Sequence, residues 1–585
     1  MTTRRTSWFA ASSAVFLLSG GIISAASFSN SGLRLTSNVP PLQSVQPWPA
    51  SWSYNPFALD SEVFSDLTDL PLAFRLRPKG NYAPMLATSW SITPTKMIVH
   101  LRTNATWQSG QAITSRDVVD SFLIGGAFGW SVWNYVKGIS APNSHEVVFS
   151  LDPKVNLKSV EANVLGATLV PASLYGKYIV PSLQEAILKD KLKVLTAVKT
   201  KVENYSPAGP IGDGPYKITA MNTAQAILSK WSGFYGASAI HVPTIELYNM
   251  PTASTAYNYM FAGKDAFSWQ SLTSSTLARW RQVPDSHTHF AWDYSQWAYY
   301  FNSKKYPLSL RGVRQALVYL ANRPVLAQVG TGGVAQEGVG VKYITGLHSS
   351  VLTTWIPSGA IKSLNPYPHD PKKAAQILIS LHFRKTASGW VTPNGKPFTL
   401  TIISPAGYAG PELSSQTLAS EFTQFGIKTT AQTVEQPGYW LQQNKGQYEI
   451  SWGWSAFWHL NPLASYYSEL VGENYTPREA GYTGLGFGPV VNVPGLGKIN
   501  ITKNLIADQN LTQHAAIQSV ATDYAKLVNE QVPMLTYGQK RLPIEYSTKN
   551  YVDWPSKSSP LWLQAGGNGD GALTLMLMSG YIHPR

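Results

Sequence analysis

No cysteine occurs anywhere in the 585 residues. A chain this long must therefore hold together without disulfides. It also cannot build a thiolate zinc site, an iron–sulfur cluster or a cysteine nucleophile, and it has no cysteine to carry a lipid. Single hydrophobic cores stop growing at about 250–300 residues, so two or more lobes are expected. Hydrophobic residues make up 44% of the chain, enough for several cores and too many for a largely disordered chain.

The balance of 46 Lys and Arg against 32 Asp and Glu gives +14 at pH 7, yet only 13% of residues are charged, about half the ~25% of an ordinary soluble domain. The excess thus comes from scarce acids. Nucleic-acid binders gather Lys and Arg into patches. The basic windows are no denser than Lys189-Asp190-Lys191-Leu192-Lys193 and pairs such as Lys372-Lys373, so no nucleic-acid partner is expected. A shortage of carboxylates suits a protein in acidic surroundings, where few groups then titrate against the fold.

Residues 1–26 have the three parts of an export signal: Arg4 and Arg5, an apolar run over 8–18, and the small residues Ser24-Ala25-Ala26. Export to the periplasm or the outer face of the cytoplasmic membrane is expected, with the segment either cleaved or kept as an anchor. No later stretch is long and apolar enough to span a bilayer.

Residues 28–44 read as a polar linker with a strand at Leu33-Arg34-Leu35. Strands are predicted at Met97-Ile98-Val99-His100-Leu101-Arg102, Glu146-Val147-Val148-Phe149-Ser150-Leu151 and Tyr216-Lys217-Ile218, the last after the turn Gly212-Asp213-Gly214-Pro215. Thr114 or Ser115 caps a helix with Asp117 in its first turn. Val313, Leu317 and Leu320 mark another helix, Asp370-Pro371 starts a third, and a fourth covers 414–425, ending at Gly426 before a strand at 427–430. Residues 481–497 read as a loop and 509–529 as one long helix. Strands and helices alternate from end to end, giving an α/β chain with more than one lobe.

Enzyme signatures fail. Gly484-Leu485-Gly486-Phe487-Gly488 is followed by Pro489 and Pro494, which forbid the helix a dinucleotide loop needs. There is no phosphate-binding loop and no Gly-x-Ser-x-Gly elbow. His287 and His289 sit on one face of a strand without a nearby acidic partner, which favours a structural or surface role over a metal site. No catalytic residue, metal or cofactor is expected.

Six segments, each weak alone, share an order. They are Pro84-Met85-Leu86-Ala87-Thr88-Ser89-Trp90 with His100-Leu101-Arg102, Trp107, Gly110, Thr114 and Asp117-Val118-Val119; Gly212-Asp213-Gly214-Pro215-Tyr216 with 231–236; Gly263-Lys264-Asp265; Phe301-Asn302 with Val313-Arg314-Gln315-Ala316-Leu317 and Asn322-Arg323; Tyr367-Pro368-His369-Asp370-Pro371-Lys372-Lys373-Ala374; and Gln531-Val532-Pro533-Met534-Leu535. Together they resemble the family 5 extracellular solute-binding proteins, the oligopeptide, dipeptide and nickel receptors of ATP-binding-cassette importers. The resemblance implies a two-lobed periplasmic-binding-protein-like fold (type II, cluster C) that closes on its ligand by a hinge, with a small extra domain on the first lobe. Lobe I would take 27–72, 201–298 and 531–585, the extra domain 73–200, and lobe II 299–530. The chain would be a monomeric, non-enzymatic receptor that meets permease subunits in the membrane.

Peptide-binding relatives hold the ligand's amino group with an aspartate in a "G-W-x-A-D" segment. The matching run is Gly453-Trp454-Ser455-Ala456-Phe457, with Phe457 in place of the acid. An ammonium group buried against Phe lacks its charge partner, unless another acid such as Glu435 or Glu449 supplies one. The ligand is expected to be an oligopeptide, with a neutral oligosaccharide as the alternative and a secreted carbohydrate-active enzyme as a third reading. By motif position Trp454 and Phe457, with Trp452 and Trp458 beside them, are expected at the ligand. Trp133 and Tyr135, near Trp130, stand where relatives carry an aromatic ligand-contacting loop.

Overall fold

The computed structural model describes residues 39–46, 54–57, 65–77, 80–209, 211–222, 224–250, 252–270, 272–334, 338–435, 438–439, 442–443, 446–455, 461–467, 469–470, 490–565 and 570–585. The expected export segment, the strand at Leu33-Arg34-Leu35, and Phe457 and Trp458 lie outside these residues. The chain divides into two units. The first takes residues up to Gln270, Trp280–Ala291 and Ile544–Arg585; the second takes Ser271–Arg279 and Trp292–Pro543. Two long strands, Ser286–Phe301 and Met534–Ser547, carry the chain from one unit into the other.

The first unit holds two four-stranded sheets. In one, the order is Leu42–Gln46, Thr244–Asn249, Gln225–Lys230 and Tyr216–Met221, the first pair parallel and the others antiparallel. The turn before Tyr216 needs glycine for space. A Cβ on Gly212 would stand 2.1 Å from the Thr68 carbonyl oxygen, and one on Gly214 2.5 Å from that of Leu67. This closeness lets the Asp213 and Gly214 N–H groups donate to Thr68 at 3.0 and 2.7 Å. The second sheet is antiparallel, in the order Ala87–Ile92, Lys96–Leu101, Glu146–Leu151 and Val136–Asn143. Helix Ser115–Ala127 starts at the predicted cap. Asp117 accepts hydrogen bonds from the Thr114 N–H at 2.7 Å, the Trp107 indole at 3.2 Å and the Ala172 N–H at 2.7 Å. The signature residues Trp107, Thr114 and Asp117 are thus one joint of the frame.

The second unit is built on a sheet ordered 534–543, 292–301, Ile450–Ser455, Thr399–Pro405 and Lys428–Val434. Thr399–Pro405 runs parallel to both its neighbours, and Ile450–Ser455 runs antiparallel to 292–301. Helix Arg311–Leu320 buries Val313, Leu317 and Leu320, and Asp370 caps Pro371–Ser380 by accepting the Lys373 N–H at 2.9 Å. Helix Ala409–Phe425 stops at Gly426, whose φ is +103°. The long helix expected over 509–529 is found as His514–Gln531, starting five residues later, and a separate helix, Ile501–Asp508, precedes it. The break at Asn510-Leu511-Thr512-Gln513 contains no Gly or Pro to announce it, and the Asn500 side chain that starts the first helix lies upstream of the periodic run. Part of the expected loop, Val491–Val493 with Gly497–Ile499, forms a short hairpin turning through Gly495 and Gly497, both at positive φ.

Arg314, 2% exposed, ties this unit together. Its Nε donates to the carbonyls of Gln531 and Val532 at 3.0 and 3.2 Å, Nη2 to Gln531 at 2.7 Å, and Nη1 to Leu308 at 2.7 Å. Val532 itself adopts φ +45°. Arg323 likewise donates to the carbonyls of Val341, Lys342 and Tyr367 at 2.9, 3.1 and 3.2 Å. Burial pulls both guanidinium groups down to about 10, so both stay charged at neutral pH. Replacing Arg314 with Met leaves these carbonyls without donors, and the expected cost is ~3 kcal/mol or more in urea unfolding of the whole chain. A loss below ~1 kcal/mol would contradict this role.

The first unit stores protons. Asp213, 2% exposed, accepts the Leu70 N–H at 2.6 Å through one oxygen, while the other has no partner among the described residues. Asp69 accepts the Thr68 hydroxyl at 2.6 Å, and its charge raises both the Asp66 and the Asp213 carboxyl. None pairs with a cation among the described residues. Desolvation, then repulsion from Asp69, lifts Asp66 to about 6; desolvation lifts Asp69 to about 6 and Asp213 well above its usual range. The folded state therefore binds more protons than the unfolded chain between about pH 4 and pH 6. The stability these groups contribute is full below pH 4 and falls as pH rises through 6. The melting temperature is expected to be higher at pH 5 than at pH 7.5, with Asp213→Asn flattening the slope; a profile rising from pH 5 to 7.5 would oppose this.

Candidate functional site

Directly opposite residues of a strand pair share a face, as do residues two apart. The register Trp297 to Trp454 and Tyr299 to Trp452 therefore puts four rings on one face of the second unit's sheet. Tyr537 on the adjoining strand stacks with Tyr299 at 5.4 Å and with Trp297 at 6.0 Å. The Trp452 indole donates to the Tyr537 hydroxyl at 2.8 Å, and the Tyr299 hydroxyl donates to Ser414 on helix Ala409–Phe425 at 2.7 Å. Burial pushes the Tyr537 phenol up to about 12, so this network is neutral. Trp452 is 2% exposed and Trp297 5%. Trp454 ends the row, half-buried, edge-on to Trp452 at 5.0 Å, with its carbonyl accepting the Tyr300 hydroxyl at 2.5 Å.

The other face at this end of the sheet is polar. Ser455 pairs with Gln296, which donates to Ser349 at 3.3 Å. The Ser455 hydroxyl is buried without a hydrogen-bond partner among the described residues, as is that of Ser295, which by alternation lies on the face of Trp297. Trp292 carries the guanidinium of Arg541 4.2 Å from its ring centroid and meets the His348 ring edge-on at 6.1 Å. Behind them, the Tyr300 hydroxyl also reaches the fully buried Glu469 at 2.9 Å.

The sequence-predicted residues separate accordingly. Trp454 sits half-buried at the edge of the core at the end of the sheet; Trp452 is taken up by the interior network. Phe457 and Trp458 lie outside the described residues. Trp133 and Tyr135, each 5% exposed, are packing residues of the first unit: Trp133 donates to the Phe122 carbonyl at 2.8 Å. A Cβ on Gly125 would fall 2.2 Å from the Trp130 indole, and one on Gly126 2.8 Å from Trp133 Nε1. The Gly125-Gly126 pair inside a helix was the signal that these indoles lie against it. Glu449 accepts the Thr401 N–H at 2.7 Å at the opposite end of its strand from Trp454, and Glu435 is exposed. His287 stacks on Tyr546 at 5.0 Å and His289 on Trp562 at 4.6 Å, each imidazole on its own ring. Trp292, Gln296 and Arg541, which the sequence reading did not single out, carry no spacing pattern of their own.

Residues 81–476 match the model of the bacterial extracellular solute-binding proteins, family 5. The chain belongs to this family. Its fold is the two-lobed family 5 fold: the mannohexaose-bound periplasmic oligopeptide-binding protein of an ABC transporter from Thermotoga maritima superposes with a TM-score of 0.77 at 17% identity, covering 94% of this chain and 100% of that one. The glutathione-binding protein GsiB of Shigella flexneri is 25% identical over 268 residues, 43% of this chain and 48% of its own length. The oligopeptide-binding protein AppA of Bacillus subtilis is 22% identical over 377 residues, 61% and 62% of the two chains. The chain thus spans about half to three fifths of the curated relatives it matches. Among the described residues, no helix is long and apolar enough to cross a membrane.

If Trp454 is a ligand contact and Trp452 a core residue, two variants should differ. Trp454→Ala is expected to weaken solute binding ~10-fold or more with little change in melting temperature, while Trp452→Phe lowers the melting temperature. Equal melting losses in both would place Trp454 in the core.

Proposed function

We propose that this chain is an exported receptor that captures a solute, most specifically an oligopeptide, and delivers it unaltered to the permease of an ABC importer. The observation that carries the reading is the family match over two thirds of the chain, together with a fold likeness that covers a solute receptor end to end. The relatives named above as glutathione- and oligopeptide-binding support a peptide ligand. The three-domain division stated above, hinge closure through the two crossing strands, a monomeric state and function outside the cytoplasmic membrane belong to the same proposal.

Oligosaccharide is the second reading. It is favoured by the half-buried Trp454 ring, which can stack on a sugar, and by the mannohexaose in the Thermotoga relative. With Phe457 in the place of the relatives' aspartate, peptide recognition here does not use the amino terminus.

Tryptophan fluorescence of the whole chain, titrated with a random tetrapeptide library, its N-acetylated form and mannohexaose, separates these readings. A saturable change with the peptides, unaffected by acetylation and without product by chromatography, is expected. A response to mannohexaose alone would select the sugar reading, and turnover of any probe would overturn the receptor.

A further inference from the structure

The second unit treats its arginines in two ways. Arg314 and Arg323 are deeply buried, and their guanidinium groups are spent on backbone carbonyls. Arg541 is different. It is partly exposed, its Nε is buried without a hydrogen bond, and none of its nitrogens has a hydrogen bond or ion pair with a described residue. Its one contact of this kind is the face of Trp292, 4.2 Å away. Stacking on an indole fixes the guanidinium plane yet leaves its edge of N–H donors open, and a buried donor without an acceptor costs free energy. A fold that satisfies two other buried guanidinium groups leaves this one, among the described residues, without an acceptor, beside Trp292 and His348.

We infer that Arg541, held flat by Trp292, is the anchor for a carboxylate of the bound solute, taken as a bidentate pair. This rests on the receptor reading and sharpens it. The fork of N–H donors matches the two oxygens of a carboxylate, and the planar ring behind it prevents the side chain from folding away. Such an anchor selects an acid by its free carboxylate, which every unmodified peptide carries at its carboxyl terminus. It also complements the loss of the amine clamp at Phe457: the charge that orients the ligand moves from its amino end to its carboxyl end.

The test compares a random tetrapeptide library as free acids with the same library carrying C-terminal amides, read by equilibrium dialysis and mass spectrometry against the full chain, with mannohexaose as a neutral probe. The wild type is expected to retain the free acids and to lose ~10-fold or more in affinity for the amides. Arg541→Gln should erase this difference without lowering the melting temperature, and Arg541→Lys, which keeps the charge but not the fork, should recover only part of it. Equal retention of acids and amides by the wild type would overturn the Arg541 assignment while leaving the receptor intact. A difference that survives in Arg541→Gln would place the carboxylate elsewhere. Retention of mannohexaose alone, or of no probe, would overturn both.

Discussion

The buried guanidinium of Arg314 is the constraint on which the second unit depends. It lies at the carboxyl end of helix His514–Gln531, where the helix leaves unpaired carbonyls and the negative end of its dipole, and it bonds the Gln531 and Val532 carbonyls there. Around it, Gln315 donates to the Glu530 carbonyl at 2.9 Å, the Tyr367 hydroxyl to that of Asn529 at 2.8 Å, and Asn529 to Ile344 and Asn365 at 3.2 and 2.9 Å. The strand that starts at Met534 leaves from this knot, so the knot sets where Tyr537 stands against Tyr299 and Trp452. Through those rings it sets the position of Trp454.

This explains which parts were legible in the sequence. Asp117, Gly212, Gly214, Arg314, Arg323 and Asp370 were visible as motif residues, and each fixes backbone: a helix start, a close approach of two chains, a knot of carbonyls. Such roles admit few residue types, so they leave a pattern. The end of the sheet proposed to meet the solute left almost none. Trp292, Gln296 and Arg541 sit on two strands about 250 residues apart, and only the pairing of those strands brings them to one end of the unit. Aromatic density singled out strand Ile450–Ser455 but could not tell the half-buried Trp454 from the interior Trp452. In the first unit Trp133 and Tyr135 are both buried, Trp133 against Gly126 of helix Ser115–Ala127.

The scarcity of acids acquires a structural meaning as well. Several of the 32 carboxyls are placed where charge is costly: Asp66, Asp69 and Asp213 crowd together, and Asp265, 1% exposed, is lifted by burial to about 7. These groups favour a protonated, acidic setting. The second unit's sheet, by contrast, is organised by neutral phenols and indoles, with permanently charged guanidinium groups at fixed places.

The most direct measurement is the identity of the small molecule that the purified chain retains from a peptide-rich extract, released by mild denaturation and read by mass spectrometry. The account predicts one solute per chain, carrying a free carboxylate and chemically identical before and after incubation with the protein. A solute converted into product, or a chain that retains nothing from that extract, would contradict it.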